Sequence, residues 1–457
     1  MNLVTGHLVL NKRKLLFLLI FLCFVTGLLL AYQPVLSIIC FLLIALSILL
    51  PFTWLTWLVI AMAPLQWYII TLENIPYIEN IPYKISYFDI VVLVLVANFV
   101  WNGVLKKVWL SERHLLCVLA LFCLVGLVSL LKAAYPLSGV NYLLRLGAVL
   151  IVFFSVICFV QEQSFEYFLS ALFVCLWLVG IVGFINTLQW PEAIPSTVKV
   201  LFEEPGSVVR LESIYNQPNI TSHTIGVFLP ILVGLSLIRN GEWITQVLLI
   251  ITAFFLGFLL ILTGSRGGVI TATIGLFIFT LYMGRFSLLF ITLILVGIIV
   301  FNWPLVMQFL FDVRPLSLNN RIDLIYYGLQ TVAEHPILGI GLGQFKTHFH
   351  SMPFYLAGRS SHNAYLEVLV EMGMLGFGIF ITFIIFIWKK ITNATDQKAR
   401  SSRLIWGIAL SSFASLLCSK LFMGGLLLAT WWIALAIIIG FTERLHHSDF
   451  QRFYISC

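Results

Sequence analysis

Apolar runs of roughly 17 to 20 residues recur from one end of this 457-residue chain to the other, and no other property constrains its fold so tightly. Such a run crosses a bilayer as an α-helix, because a helix satisfies its own backbone hydrogen bonds where no water can. About fourteen runs are long enough to be expected as spans. They are Leu15–Ala31, Val35–Leu50, Thr53–Thr71, Tyr87–Leu105, Leu115–Leu131, Tyr142–Val160, Tyr167–Leu188, Thr221–Ile238, Ile244–Leu262, Gly267–Met283, Phe286–Phe301, Tyr365–Trp388, Leu404–Cys418 and Leu421–Phe441. The second and third are short, so twelve or thirteen spans also fit. Charged residues are only 10% of the chain, against about 25% in a soluble domain. A β-barrel would alternate apolar and polar residues along strands of about ten, and this chain does not. The expected class is an all-α polytopic integral membrane protein.

Basic residues near the span ends set the expected orientation. With the N-terminus in the cytoplasm, Lys106, Lys107, Arg113, Arg239, Arg285, the cluster Lys389, Lys390, Lys398, Arg400 and Arg403, and finally Arg444 and Arg452 all fall inside. Both termini are then cytoplasmic. The acidic connection Gln161–Glu166 is the exception. The net charge of +7 belongs mostly to these cytoplasmic loops and does not point to nucleic acid. Lys12, Arg13 and Lys14 precede a run long enough to span, with no clear small-residue cleavage site after it, so no cleavable signal peptide is expected. Of eight cysteines, six lie inside apolar runs, and no CxxC or Cys/His spacing occurs, so they read as small buried side chains.

This orientation sends three polar features to the external side: the loop Gln189–Ile220, the short turn "TGSRGG" (Thr263–Gly268), and the long loop Asn302–Ala364. The last far exceeds what a helix connection needs, and such loops are usually functional. Arg210, Arg266, Arg321 and His362 come to one membrane face, with Arg145 just inside the outer end of the sixth span. A membrane-face arginine also commonly snorkels to head groups. The repeat "ENIPYIENIPY" (Glu73–Tyr83) fills another external loop and reads as an interfacial turn.

Within the long loop, "NRIDLIYYGLQTVAEHP" is expected to be an amphipathic helix lying on the membrane or against the bundle. Asn320 is the expected N-cap, Asp323 the N3 carboxylate, and Arg321 the helix start, where free N–H groups also favour an anion. Ile322, Ile325, Tyr326, Leu329 and Val332 form its apolar face, and His335–Pro336 stops it. "GIGLGQF" follows with Gly339, Gly341 and Gly343; without a strand–helix context it reads as a tight turn rather than a phosphate cradle. His348 and His350 have no acidic or cysteine partner nearby in sequence and read as solvated, and His223 reads as a satisfied polar residue. Glu367 and Glu371 share one helix face, and carboxylates inside a membrane are costly and usually functional or paired.

Four segments, in order, carry a resemblance: "RLESIYNQPNI" (Arg210–Ile220), "LTGSRGGVI" (Leu262–Ile270), the Asn320–Phe345 segment, and "SHNAYLEVLVEMGMLGF" (Ser361–Phe377). Over roughly residues 200 to 380 the chain resembles the O-antigen ligase and polymerase superfamily of bacterial envelope enzymes. The resemblance implies a GT-C-like membrane glycosyltransferase in the bacterial inner membrane. Its donor would be a glycan on undecaprenyl diphosphate, its acceptor a sugar of lipid A–core in a ligase or another lipid-linked repeat unit in a polymerase. No nucleotide sugar and no cofactor would be needed. It further implies Arg266 and Arg321 as diphosphate-binding residues and His362 as the essential histidine. The expected organisation is residues 1–200 as N-terminal spans, 201–390 as the core region with external loop 302–364, and 391–457 as C-terminal spans and a short cytoplasmic tail.

The residues suit that chemistry. A departing lipid diphosphate needs charge compensation, and no paired-carboxylate metal motif falls on the external side, where Asp312, Asp323 and Glu334 are scattered. Arginine binds phosphate oxygens bidentately and stays charged where water is scarce, so Arg266 and Arg321, with Arg210 and Arg145, are the candidates. Ser265 supports the start of the helix that Arg266 opens. A sugar hydroxyl is a poor nucleophile until a base takes its proton, and histidine suits that task. Asn363 is expected to orient the ring or a substrate hydroxyl, and Glu371 to buttress an arginine or His362. A small-anion transporter is the rival of a different class; it would want ionisable residues or broken helices near the bilayer midplane.

Overall fold

The structure is a computed structural model that describes residues 51–67, 69–71, 84–101, 103–162, 165–189, 211, 213–215, 217–237, 243–284, 315–348, 360–393 and 400–444. It is a helical bundle: α1 (Phe52–Met62), α2 (Tyr87–Trp101), α3 (Val104–Ser129), α4 (Pro136–Glu162), α5 (Phe165–Gln189), α6 (Pro218–Ser236), α7 (Trp243–Leu262), α8 (Arg266–Met283), α9 (Pro315–Glu334), the single turn α10 (Phe345–His348), α11 (Ala364–Asn393), α12 (Arg400–Phe422) and α13 (Ala429–Arg444). Two three-residue strands, β1 (Ile69–Thr71) and β2 (Lys84–Ser86), pair antiparallel with Ile70 opposite Ile85. Among the described residues eight helices are long and apolar enough to cross a membrane, and three more apolar helices are shorter. The chain is thus a polytopic α-helical membrane protein. The expected spans Leu15–Ala31, Val35–Leu50 and Phe286–Phe301 lie outside the described residues, as does the Glu73–Tyr83 repeat.

The part of the bundle that carries the site is α6, α8 and α12, each packed against the other two. Small residues let these backbones approach, as membrane helix interfaces require. A Cβ on Gly226 of α6 would stand 2.8 Å from the Gly268 carbonyl of α8, and a Cβ on Gly268 would stand 2.4 Å from the Ser222 Cβ. Ser415 of α12 donates to the Thr271 carbonyl of α8 at 3.0 Å. Gly268→Ala therefore forces backbone to shift and should cost about 1–3 kcal/mol, read as a lower thermal midpoint in detergent. Gly257→Ala, at a position in α7 with nothing within 4 Å of the added carbon, should leave that midpoint unchanged or raise it. Equal effects at the two positions would refute the close-packing account.

Three expectations need correction. The run Thr53–Thr71 is not one span: α1 ends at Met62, a 3-10 turn Ala63–Trp67 follows, and the chain then enters β1. Pro64 cannot continue the α-helical hydrogen-bond ladder, and the Gln66 side-chain oxygen instead accepts from the Ala429 amide at 2.8 Å, at the start of α13. The run Leu421–Phe441 is not one span either: residues 423–428 form a turn between α12 and α13, with Gly425 at φ +76. Finally, α11 is interrupted. Gly373 has φ +63, and a Cβ there would lie 2.3 Å from the Ile337 carbonyl oxygen. The carbonyls of Pro336 and Ile337 insert at this break and accept from the Met374 and Leu375 amides at 2.8 and 3.3 Å. The segment after the break, residues 374–393, is about 30 Å of helix at 1.5 Å per residue, enough to cross a bilayer alone.

At the other end of the bundle Lys390 of α11 is paired with Glu112 of α3 at 2.6 Å and with Glu443 of α13, which also accepts from Gln161 of α4. The backbone of α3 leaves helical geometry at Glu112 (φ −125°, ψ 27°), so the carboxylate reaches Lys390 where a kink interrupts its own helix. This cluster joins four helices at the end remote from His362.

Candidate functional site

His362 sits at the apex of a tight turn immediately before α11, with φ +52. The Ser361 hydroxyl closes the turn from one side: it donates to the Asn363 carbonyl at 2.7 Å and accepts from the Asn363 amide at 2.9 Å. Asn363 caps the helix, its side-chain oxygen accepting from the Leu366 amide at 3.1 Å. The Asn363 side-chain oxygen is thus committed to the backbone, which leaves its amide donors for the expected task of orienting the ring or a substrate hydroxyl.

Arg266 opens α8, as expected, directly after the N-cap Ser265, whose side chain accepts from the Gly268 amide at 3.4 Å. Ser265 also donates to Asn219 of α6 at 3.3 Å, and the Leu211 amide donates to the Leu262 carbonyl at 3.3 Å. Two of the sequence segments singled out above therefore meet in space. His223 of α6 lies just beneath. Thr271 donates its single hydroxyl proton to the Gly267 carbonyl at 2.8 Å, so its 3.2 Å contact with His223 Nδ1 has the ring as donor. His223 Nε2 is then an acceptor, and it faces Gly267: a Cβ there would stand 2.9 Å from it. On the other side the ring stacks on Phe422, the last residue of α12, centroids 6.4 Å apart and 14° between planes. Phe422 lies two residues after Lys420 and three before Gly425, and Gly425 is tied through Glu367 to Ser361, so the Arg266 turn, Lys420 and the His362 turn meet at one end of the bundle, with the helix that carries Arg321 packed on the same α11 at Leu366.

Arg321 does not start its helix. α9 begins at Pro315, which puts Asn320, Arg321 and Asp323 in its second and third turns and removes the expected N-cap role of Asn320 and N3 role of Asp323. Proline suits a first helical position, since its missing N–H would have had no intrahelical partner and its fixed φ is already helical. Arg321 is half-buried, and burial pulls its pKa below the ordinary value. The helix is held not by the stripe of large apolar residues but by a row of small and medium ones. Leu324, Gly328 and Thr331 are buried, with Leu366 of α11 packed on Gly328, while Ile322, Ile325, Tyr326 and Leu329 face outward. The outward stripe is what a helix lying at a membrane surface presents to lipid.

Glu371 buttresses neither an arginine nor His362 in the bonds that its carboxylate makes. Its two oxygens accept from the amides of Gly343 and Phe345, each at 2.9 Å, and its carbonyl accepts from the Gly341 amide at 2.9 Å. The amides of "GIGLGQF" that could have met a phosphate are thus partly committed to this carboxylate, and the segment is a turn pinned to α11. Arg145 lies half-buried in the third turn of α4, one turn beyond Tyr142, whose hydroxyl accepts from the Leu426 amide at 3.1 Å. Arg210, Asp312 and His350 lie outside the described residues. Among the described residues no group of three or more His, Cys, Asp and Glu side chains is placed to hold a metal ion.

Lys420 was not singled out in the sequence, yet it is fully buried at this same end. Its Nζ donates to the Gly425 carbonyl at 2.8 Å and lies 4.8 Å from the centroid of the Trp431 ring. The signal was a lysine between two apolar runs, just ahead of Gly424–Gly425. Residues 251–381 match a family model described as O-antigen ligase. No curated protein matches the chain. The matched segment includes Ser265, Arg266, Arg321, His362, Asn363, Glu367 and Glu371, while Arg145, Arg210, His223 and Lys420 lie outside it.

Proposed function

From the match of residues 251–381 to the O-antigen ligase family model, we propose that the chain belongs to the O-antigen ligase and polymerase superfamily and transfers a glycan from undecaprenyl diphosphate to a sugar hydroxyl on the external face of the bacterial inner membrane. In this reading the acceptor oxygen attacks the anomeric carbon while the bond from that carbon to the diphosphate oxygen breaks. His362 takes the hydroxyl proton. Undecaprenyl diphosphate leaves with its charge held by Arg266 and Arg321, Arg210 and Arg145 being further candidates for the same anion. The observation that carries the proposal is the run of contacts from the His362 turn through Glu367 and Gly425 to Phe422 and His223, which lie against the turn that presents Arg266. Charge compensation by arginine alone makes the proposed transfer metal-independent, and lipid A–core is the proposed acceptor.

Deletion of the gene tests acceptor and reaction together. Loss of polymer from the lipid core with lipid-linked polymer accumulating is the ligase outcome. A single repeat unit left on the core identifies a polymerase instead. Unchanged glycans would refute both. The break in α11 at Gly373 is a feature that a small-anion transporter would also use; the carbonyls of Pro336 and Ile337 accept from the amides just beyond it.

The orientation is tested separately. Lys346 and Lys389 are both exposed. Single cysteines at these positions in a Cys-less variant should label differently in intact cells, an impermeant maleimide reaching 346 and not 389. Equal labelling would overturn an external active site.

A further inference from the structure

Glu367 bonds the His362 turn at Ser361, and the transfer chemistry proposed above gives it no task. Its Oε1 accepts from the Ser361 amide at 3.4 Å, and its Oε2 accepts from the Gly425 amide. The fit on that side is close: a Cβ on Gly424 would stand 2.5 Å from Glu367 Oε1 and 3.1 Å from Ser361 Oγ. Gly425 is held from its other side as well, since its carbonyl accepts from the buried ammonium of Lys420 at 2.8 Å. A carboxylate and an ammonium thus grip one residue of the α12–α13 turn through its N–H and its C=O. That turn follows directly on Phe422, which covers the His223 ring and would come within 2.9 Å of a Cβ on Gly267, next to Arg266.

We infer that Glu367 is a positioning residue for His362: by holding Ser361 and Gly425 together, it sets where the imidazole stands relative to the end of α8 that carries Arg266. The inference rests on the reading of His362 as the base. The geometry has one feature that a general stabilising contact would lack. Glu367 bonds the residue beside the histidine and, with its other oxygen, the turn that packs on the arginine helix. Lys420 and Glu367 meet through Gly425, the ammonium on its carbonyl and the carboxylate on its amide. A displacement of the base by about 1 Å is enough to lower a rate about 100-fold, so the effect belongs in turnover and not in donor binding.

The test uses the full-length protein in detergent or nanodiscs with a lipid-diphosphate-linked glycan donor. Glu367→Gln puts an amide where two N–H groups need acceptors, and Glu367→Asp keeps a carboxylate but withdraws it by one methylene. Each should lower kcat by about 10- to 100-fold with the donor KM within about twofold. In a His362→Ala background the same substitutions should lower the residual rate by less than about twofold, because a residue acting through the histidine has nothing left to position. If Gln does not fold, Asp supplies the same comparison. Losses that multiply in the His362→Ala background, a wild-type rate in both variants, or a donor KM that rises in step with the loss would each overturn the inference. The two readings fail differently: a His362→Ala protein as active as wild type removes the base and this inference with it, whereas an inactive His362→Ala beside a fully active Glu367→Asp removes only the positioning role.

Discussion

His362→Asn should bind the lipid-linked donor as wild type does and turn it over about 10²- to 10⁴-fold more slowly, the usual contribution of a positioned acid–base group. Asparagine is the informative replacement because His362 has φ +52, a conformation that asparagine adopts more readily than alanine or glutamine. The turn closed by the Ser361 hydroxyl is therefore kept while the proton acceptor is removed. His362→Ala should be at least as slow, with backbone strain added to the lost base. His362→Gln should be nearly as poor as Asn, since an amide hydrogen-bonds but does not take the proton. The wild-type rate should rise with pH through the range where imidazoles titrate, because the neutral ring is the active form. The measurement is a donor-saturated assay of the four proteins from about pH 5 to 8, with donor binding followed separately. If Asn or Gln keeps more than about a tenth of the wild-type rate, His362 orients the acceptor by donating a hydrogen bond and does not abstract its proton.

Arg266→Lys should be almost as damaging as Arg266→Ala. Lysine retains a positive charge at the start of α8, where the first-turn N–H groups favour the same anion, but it loses the planar fork that grips two phosphate oxygens. A hydrogen bond to a charged group contributes roughly 1.5–3 kcal/mol, or about 10- to 150-fold in affinity or rate. Arg321→Lys should behave similarly, though Arg321 projects from inside α9 and has no helix start to reinforce it. The double Lys variant should lose close to the product of the two, provided the residues hold separate oxygens. Near-normal transfer by the double variant would remove both from the diphosphate site. Chelator should leave the purified wild type unaffected, and a clear metal requirement would show that the arginines do not compensate the leaving group alone.

The membrane class was legible because hydrophobic length is a one-dimensional property. Runs such as Ile244–Leu262 and Gly267–Met283 became α7 and α8 with ends moved by a residue at most. The start of α8 was legible for the same kind of reason: Ser265 precedes Arg266, and an N-cap is a local pattern. So was the end of α9 before His335–Pro336. The start of α9 was not, because Asn320 looked like a cap while Pro315, five residues earlier, offered a better-preorganised first position.

What only the tertiary structure decided is where polar groups find their partners. Hydropathy read Leu421–Phe441 as one span, since a turn made of Met, Gly and Leu is as apolar as the helices around it. Its identity as a turn rests on Gln66, Tyr142, Glu367 and Lys420 bonding its backbone, Gln66 by donating to the Leu427 carbonyl. Glu367 and Glu371 look alike in sequence, one helical turn apart. Their tasks diverge because one meets the amides at Ser361 and Gly425 and the other those at Gly343 and Phe345. The sequence by itself determined that this chain crosses a membrane many times, and it carries arginines and a histidine in the polar segments between its apolar runs. It could not determine which carboxylate, lysine or glycine holds them in register, because a hydrogen bond across 58 or 284 residues, such as Gly425 to Glu367 or Leu426 to Tyr142, has no local signature.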